Sequence, residues 1–270
     1  MCRRSNPDPL VRLFLDKYRM NLLSVPREKA NVGDVYVESG GQMSAPGNVA
    51  NLFTGKFKLP AVTKNERLAA LAAERSAEIE VSVGLKLLQG FLAALGAAAS
   101  IGDVGASYQR ANARTVRFRI SDATREAVDS TAFGKSLIDQ ELDEKHPFVA
   151  PKNRYFVTTA VIRAKQIALF AQDDMKQAVD VGLDAAALKL LETKAGVKLT
   201  RHTQGEATWE GPRALALAVE LVELVWNEKK GKFFAKFPEG VGQVRADGEA
   251  PAVGTFIGDE IQGEAFVDLP

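Results

Sequence analysis

The residue types best placed to do chemistry lie at the N-terminus, in one glycine-lysine motif and at two histidines. Met1-Cys2-Arg3-Arg4 opens the chain. The Cys2 thiol is an acceptor for an acyl chain, and the two arginines would hold that chain near an anionic leaflet. One chain plus basic residues is a two-signal anchor, at about 0.8 kcal/mol for each buried CH₂. Cys at position 2, where Gly would be required, excludes N-myristoylation. On these residues alone an unmodified cysteine is the simpler reading. Asp129–Ser136 (DSTAFGKS) imitates the end of a phosphate-binding loop, but Asp129 stands where Gly is needed and its carboxylate would repel phosphate. His146 and His202 form no ligand-spaced pair, and His146 precedes Pro147 in a connector. Gly105-Ala106-Ser107-Tyr108-Gln109 lacks the second glycine of a nucleophile elbow. Asp173-Asp174 reads as the start of a helix, where the dipole favours acidic residues. No nucleophile–base set emerges, so no enzyme is expected. Lys and Arg are scattered with few aromatics between them, which does not make a nucleic-acid surface. A single cysteine excludes an internal disulfide and a Cys-based metal cluster.

The elements that would position any function are organised around residues 76–121. Ala77, Ile79, Val81 and Val83 alternate with Glu78, Glu80 and Ser82, which is the period of a half-buried strand. Leu85, Leu88, Leu92 and Leu95, widened by Leu87 and Phe91, then follow the period of an amphipathic helix. Alternation returns at Val116, Phe118 and Ile120. Strand, helix, strand is the expectation, and it recurs from Arg154 to Thr203. Before this region, Asp8-Pro9 starts a helix, Met20–Val25 is a strand stopped by Pro26, and Gly33–Val37 opens a hairpin through Gly40-Gly41 into Gln42–Ala45. Residues 46–62 read as loop, and Asn65–Leu68 as the lead into a helical turn. After it, Asp122 is expected to cap a helix over 123–141, and 173–191 to be helical. Leu215–Trp226 fits both periods, and the hairpin signal at Asn227–Gly231 favours strand. Pro and Gly from Pro238 to Gly254 mark a flexible connector.

Composition allows one large or two small domains with an ordinary core: 270 residues, 46% hydrophobic and 26% charged. No uninterrupted apolar run is long enough for a transmembrane helix, and residues 10–15 do not read as a signal peptide, so a cytoplasmic location is expected. Charge is uneven. Residues 239–270 hold one basic and seven acidic residues, a net of −6, whereas residues 1–238 carry +7. Phe256, Ile257, Ile261 and Phe266 are too many large apolar groups for a solvated tail and are expected to dock on the body.

Met1-Cys2, Asn21-Leu22-Leu23, Gly33-Asp34-Val35-Tyr36-Val37, Val83-Gly84-Leu85 with Leu88-Gln89-Gly90-Phe91-Leu92, and Ala113-Arg114-Thr115-Val116-Arg117-Phe118 together resemble the bacterial gasdermins. The resemblance spans essentially the whole chain through several weak features. It implies an α+β fold with a twisted, mostly antiparallel central sheet and surrounding helices. It implies a pore-forming domain at 1–238, a flexible linker with a protease cleavage site at 239–255, and an autoinhibitory peptide at 256–270. The intact protein would be a cytoplasmic monomer. A caspase-like or trypsin-like protease would cut near Val244, Arg245, Ala246 and Asp247, Arg245 suiting the latter and Asp247 the former. The body would then oligomerise on anionic lipids of the inner membrane into a β-barrel pore and kill the cell in antiphage defence. Palmitoylation of Cys2 is implied, with no other cofactor. A spanning strand needs about 9–11 residues with one apolar face, and 76–84 with 103–121 have that length. Loss of a −6 tail would favour an anionic surface by about 1 kcal/mol per exposed basic residue. A soluble ligand-binding or scaffold domain with a structural tail is the rival reading.

Overall fold

The computed structural model describes residues 14, 20–39, 42–68, 78–97, 106–107, 113–138, 140–141, 143–150, 153–173, 175, 177–179, 189, 191–193, 195–201, 206–227 and 232–236. In chain order, β1 (Asn21–Arg27), β2 (Asp34–Ser39) and β3 (Gln42–Asn48) are followed by a 3₁₀ turn at Val49–Leu52 and by β4 (Val62–Arg67). β5 (Glu78–Glu80) leads directly into helix α1 (Val81–Ala94). β6 (Thr115–Ser121), β7 (Thr124–Val128) and helix α2 (Ser130–Ser136) precede β8 (Arg154–Gln172). β9 (Lys198–Arg201), β10 (Glu206–Asn227) and β11 (Lys232–Lys236) follow. The strands join in one 11-stranded sheet, the α+β architecture expected.

The spine is the antiparallel pair β8 and β10, 19 and 22 residues long. Valine, isoleucine, leucine and aromatic residues recur along both, and a strand buried on both faces reads as a near-continuous apolar run. β10 uses its outer edge for β11, β1 and β9; β8 uses its outer edge for β2, β7 and β6. The β8–β10 ladder shifts register between Glu210 and Leu215, where Gly211-Pro212 interrupts pairing. Gly211 lies so close to Leu95 that a Cβ there would stand 2.8 Å from its Cδ1.

Several local expectations are corrected. Asp122 does not cap a long helix: its φ of 53° is left-handed, whereas an N-cap is extended. The chain turns there and continues as β7, on the same register along β8 as β6. Asp129 is the cap instead, with φ −64° and ψ 123°, and its Oδ1 accepts the Ala132 N–H at 2.7 Å. β1 runs past Pro26, accommodated by an irregular register between Leu22 and Arg27. β3 runs to Asn48, and Val62–Arg67 is a strand rather than the lead into a helix. Asp173 starts a tight turn, its Oδ1 accepting the N–H groups of Met175 and Gln177, each at 2.9 Å.

Two apolar clusters flank the spine. One lies beneath α1 and includes Leu22, Leu88, Phe91, Leu92, Ile120, Ile167, Leu169, Trp209 and Leu217. The other, around β2, the 3₁₀ turn and α2, includes Val35, Leu52, Phe57, Phe133, Phe156 and Val222. In the second, Asn48 anchors the turn by accepting the Ala50 N–H.

Candidate functional site

The alternating run beginning at Ile79 does not end as a strand. β5 stops at Glu80, and Val81-Ser82-Val83 form the first turn of α1. This sequence satisfies two periods. As a helix it buries Leu85, Leu88, Phe91, Leu92 and Leu95 against the sheet. As a strand, Ile79, Val81, Val83, Leu85 and Leu87 would share one face, and Glu80, Ser82, Gly84 and Lys86 the other. Gly84 and Gly90 each cost the helix about 1 kcal/mol relative to Ala. Packing therefore holds α1 in place: Leu88, Phe91 and Leu92 are fully buried, at about 1.5–3 kcal/mol each. Shape sets where it lies, with Leu95 seated against Gly211.

Beneath α1 the strands run in the order β5, β6, β8, β10, β9, and every neighbour is antiparallel. The register assigns the faces. Ile120, Ile167, Trp209 and Leu199 fall in one transverse row, and Phe118, Leu169, Ala207 and Arg201 in the next on the same face, with Arg201 exposed at its outer end on β9. This is the face that α1 covers, and Ile120, Ile167, Leu169 and Trp209 are buried in it. The opposite face carries Arg119, Ala168, Thr208 and Thr200 in one row, and Ser121, Gln166, Glu210 and Lys198 in another. Arg119 reaches across β8 to pair with Glu206, and Lys165 pairs with Glu210 at 3.4 Å. Arg119, Thr200 and Lys198 are exposed. This part of the sheet is thus amphipathic, with one face in water and the other under a helix.

The chemistry-bearing positions do not converge. Asp129 serves as the cap of α2, a role its place in the discounted phosphate motif did not indicate. His146 accepts the Phe148 N–H on Nδ1 at 3.3 Å within its connector. Ser107 is buried. Burial pushes Asp34, Tyr36 and Tyr155 above their ordinary pKa values, and all three lie around β2 and the start of β8, away from α1. For Asp34 the opposing pull of the Asn31 N–H and of Arg163 is smaller than the burial effect. Cys2, the cleavage region Val244, Arg245, Ala246 and Asp247, and the docking residues Phe256, Ile257, Ile261 and Phe266 lie outside the described residues, as does His202. Of the segments expected to insert, β5, α1, β6, β8 and β9 are placed at one end of one sheet. Sequence reasoning missed the part played by β10 residues Glu206–Glu210 in that end. Their alternation of Ala207 and Trp209 with Glu206, Thr208 and Glu210 was the available signal.

The family model of the Bacterial Gasdermin Family matches residues 23–232. The chain belongs to the bacterial gasdermins. It is 27% identical over 274 residues to the gasdermin bGSDM of Bradyrhizobium tropiciagri, covering 100% of this chain and 98% of that protein. It is 24% identical over 239 residues to the gasdermin bGSDM of a Vitiosangium species, covering 87% of each. The solved structure of a bacterial gasdermin from Bradyrhizobium tropiciagri superposes with a TM-score of 0.66 at 23% identity, over 99% of this chain and 98% of that one. That likeness bears on the fold, which is the family's mostly antiparallel sheet with a few helices. The gasdermin is accordingly a pore-forming effector and not an enzyme.

Proposed function

We propose that this gasdermin is held inactive by residues 256–270 and is released by proteolysis within residues 239–255, leaving 1–238 as the pore-forming body. A caspase-like or trypsin-like protease cuts near Val244–Asp247. The freed body binds anionic lipid at the inner membrane, aided by a palmitoyl group on Cys2, and oligomerises. Its strands lengthen into a β-barrel that kills the cell, in the setting of antiphage defence. The intact chain is a cytoplasmic monomer with no cofactor beyond the acyl group.

The observation that carries this reading is the amphipathic sheet under α1. A barrel wall needs one polar and one apolar face, and closure satisfies every backbone group in lipid. Here the polar face already meets water, and a glycine-containing helix of strand-compatible sequence covers the apolar face. β5 and β6 are already paired, with Glu78, Ile79 and Glu80 opposite Arg117, Val116 and Thr115. Unwinding α1 lengthens an existing hairpin rather than creating one. No helix among the described residues is long and apolar enough to cross a bilayer; the proposed crossing uses strands.

The test compares the full chain with the same chain cut at a protease site introduced between residues 244 and 247. Dye-loaded vesicles containing phosphatidylglycerol should leak only with the cut protein, and expression of residues 1–245 should be toxic. Leakage from neither form refutes the reading. Simple aggregation of the cut protein supports the rival, a soluble domain with a structural tail. The intact mass of natively expressed protein tests Cys2: a mass without an acyl adduct removes the anchor.

A further inference from the structure

β9 keeps the antiparallel pattern within the α1-covered sheet, but it makes the number of strands odd. The order β5, β6, β8, β10, β9 is antiparallel at every step, so β5 and β9 run the same way. Copies of this unit joined side by side would place β9 beside a parallel β5. Without β9, the outer strands are β5 and β10, which run in opposite directions, and neighbouring copies meet antiparallel. A uniform antiparallel barrel is available only to the four-strand unit.

Chain length points to the same strand. Residues 81–114 connect β5 to β6, and residues 173–205 connect β8 to β10, stretches equal to within one residue. Both leave and return at the same end of the sheet. If both become membrane hairpins of equal depth, β10 must lengthen through the residues preceding Glu206. Those residues include β9, which is now folded back on the edge of β10 with Lys198 opposite Glu210 and Arg201 opposite Ala207.

Resting on the pore-forming reading above, we infer that β9 is an internal stand-in for a second copy of this chain. It occupies the edge of β10 at Ala207–Glu210, to which the β5 edge of a neighbouring molecule adds during assembly. The exchange conserves backbone hydrogen bonding, since each pair lost to β9 is regained from the neighbour. It also explains how the edge is protected. An uncovered strand edge is a template for pairing with another chain. β3 carries Pro46 and Gly47 on its edge strand, and β4 is broken by Asn65 in a left-handed conformation with φ 57°. The edge of β10 at Glu206–Glu210 carries neither device, and β9 covers it. β9 is only four residues long, with Lys198, Thr200 and Arg201 exposed. Short exposed elements open locally at little cost. The resulting contact is heterologous, β10 of one copy to β5 of the next, and such head-to-tail contacts close into rings.

Thr200 and Thr208 are direct cross-strand partners, at a separation that a disulfide spans. In the full chain with an introduced protease site, Thr200→Cys with Thr208→Cys should staple β9 in place, and Thr208→Cys alone controls for bridges through Cys2. After cleavage on phosphatidylglycerol vesicles, the oxidised protein should bind lipid yet remain monomeric, with dye release at least tenfold slower. Reduction should restore both. Equal leakage from the oxidised and reduced forms overturns the inference. A second arm pairs Thr208→Cys with Glu78→Cys or, separately, with Glu80→Cys. Two strands separate these positions within one molecule, so they can bridge only between molecules. A ladder of disulfide-linked oligomers after cleavage supports the inference, and its absence from both variants overturns it. If the reduced variants and the parent all fail to leak, the pore-forming reading itself falls, and this inference with it.

Discussion

Leu88 and Leu85 give a sharp test of the double periodicity in α1. Both are buried against the sheet, at 0% and 7% exposure. Truncating a buried leucine to alanine costs about 2–5 kcal/mol. Taking about 3 kcal/mol, and about 2–4 °C per kcal/mol for a chain of this size, either variant should melt about 6–12 °C below the parent. The two differ in the extended state. Leu85 shares its strand face with Ile79, Val81 and Val83 and would meet lipid, so Leu85→Ala weakens the pore as well as the resting fold. Leu88 falls on the face of Glu80, Ser82, Gly84 and Lys86, which would meet water. Leu88→Ala therefore weakens the resting fold almost alone. A bias of about 3 kcal/mol toward the extended state is about a hundredfold in equilibrium. The assay is dye release from anionic vesicles after cleavage, with melting temperatures measured on the intact chains. Leu88→Ala should leak faster than the parent, and Leu85→Ala should not, at similar loss of thermal stability. Equal leakage rates from the two variants, or slower leakage from Leu88→Ala, would refute the strand reading of α1.

Other substitutions test the resting structure. Gly211→Val places a branched side chain where a Cβ already stands 2.8 Å from Leu95; the overpacking should cost about 1–3 kcal/mol in denaturant melts and loosen the end of α1. Asp129→Ala removes the cap of α2 and should cost about 1 kcal/mol by the same measurement. Asp34 has a raised pKa in the folded state, chiefly through burial. Its charged form is thus a net cost to folding: its favourable contribution is present below the unfolded value of about 4 and is lost as pH rises through the folded one. Asp34→Asn should therefore be more stable than the parent at pH 7, with the advantage shrinking toward pH 3. An advantage that grows on acidification would reverse the sign.

Much of the fold could be read from local pattern. Leu85 to Leu95 mark α1, and the hairpin signal at Asn227–Gly231 favours strand for β10, which is what forms, although Leu217, Leu221 and Leu224 also suit a helix. The failures came where pairing partners decide. Thr124–Val128 is short and half polar, and it is a strand because β8 and β4 lie on either side of it. Asp122 departs from the expected cap because a side chain suited to capping also tolerates a left-handed turn. Val81–Val83 alternates and yet is helical, because Leu88, Phe91 and Leu92 downstream bury a helical stripe. As to the site, alternation showed which segments are amphipathic. It did not show that β10 lies between β8 and β9, since strand order depends on contacts between residues far apart in the chain.

The amphipathic sheet has a consequence for how finely its two states can be balanced. In the proposed pore its polar face would stay in water, so only the apolar face would change surroundings. In the resting protein Ile120, Ile167 and Leu169 lie against the leucines and phenylalanine of α1; in a membrane they would lie against acyl chains. Lipid tails are as apolar as leucine. The hydrophobic effect is then nearly equal on both sides and largely cancels from the difference. What remains is packing quality, helix against strand hydrogen bonding, and surface charge, each a few kcal/mol. On the proposed mechanism a molecule poised this way stores no large hydrophobic strain, and loss of a short acidic tail would be of the right size to tip it.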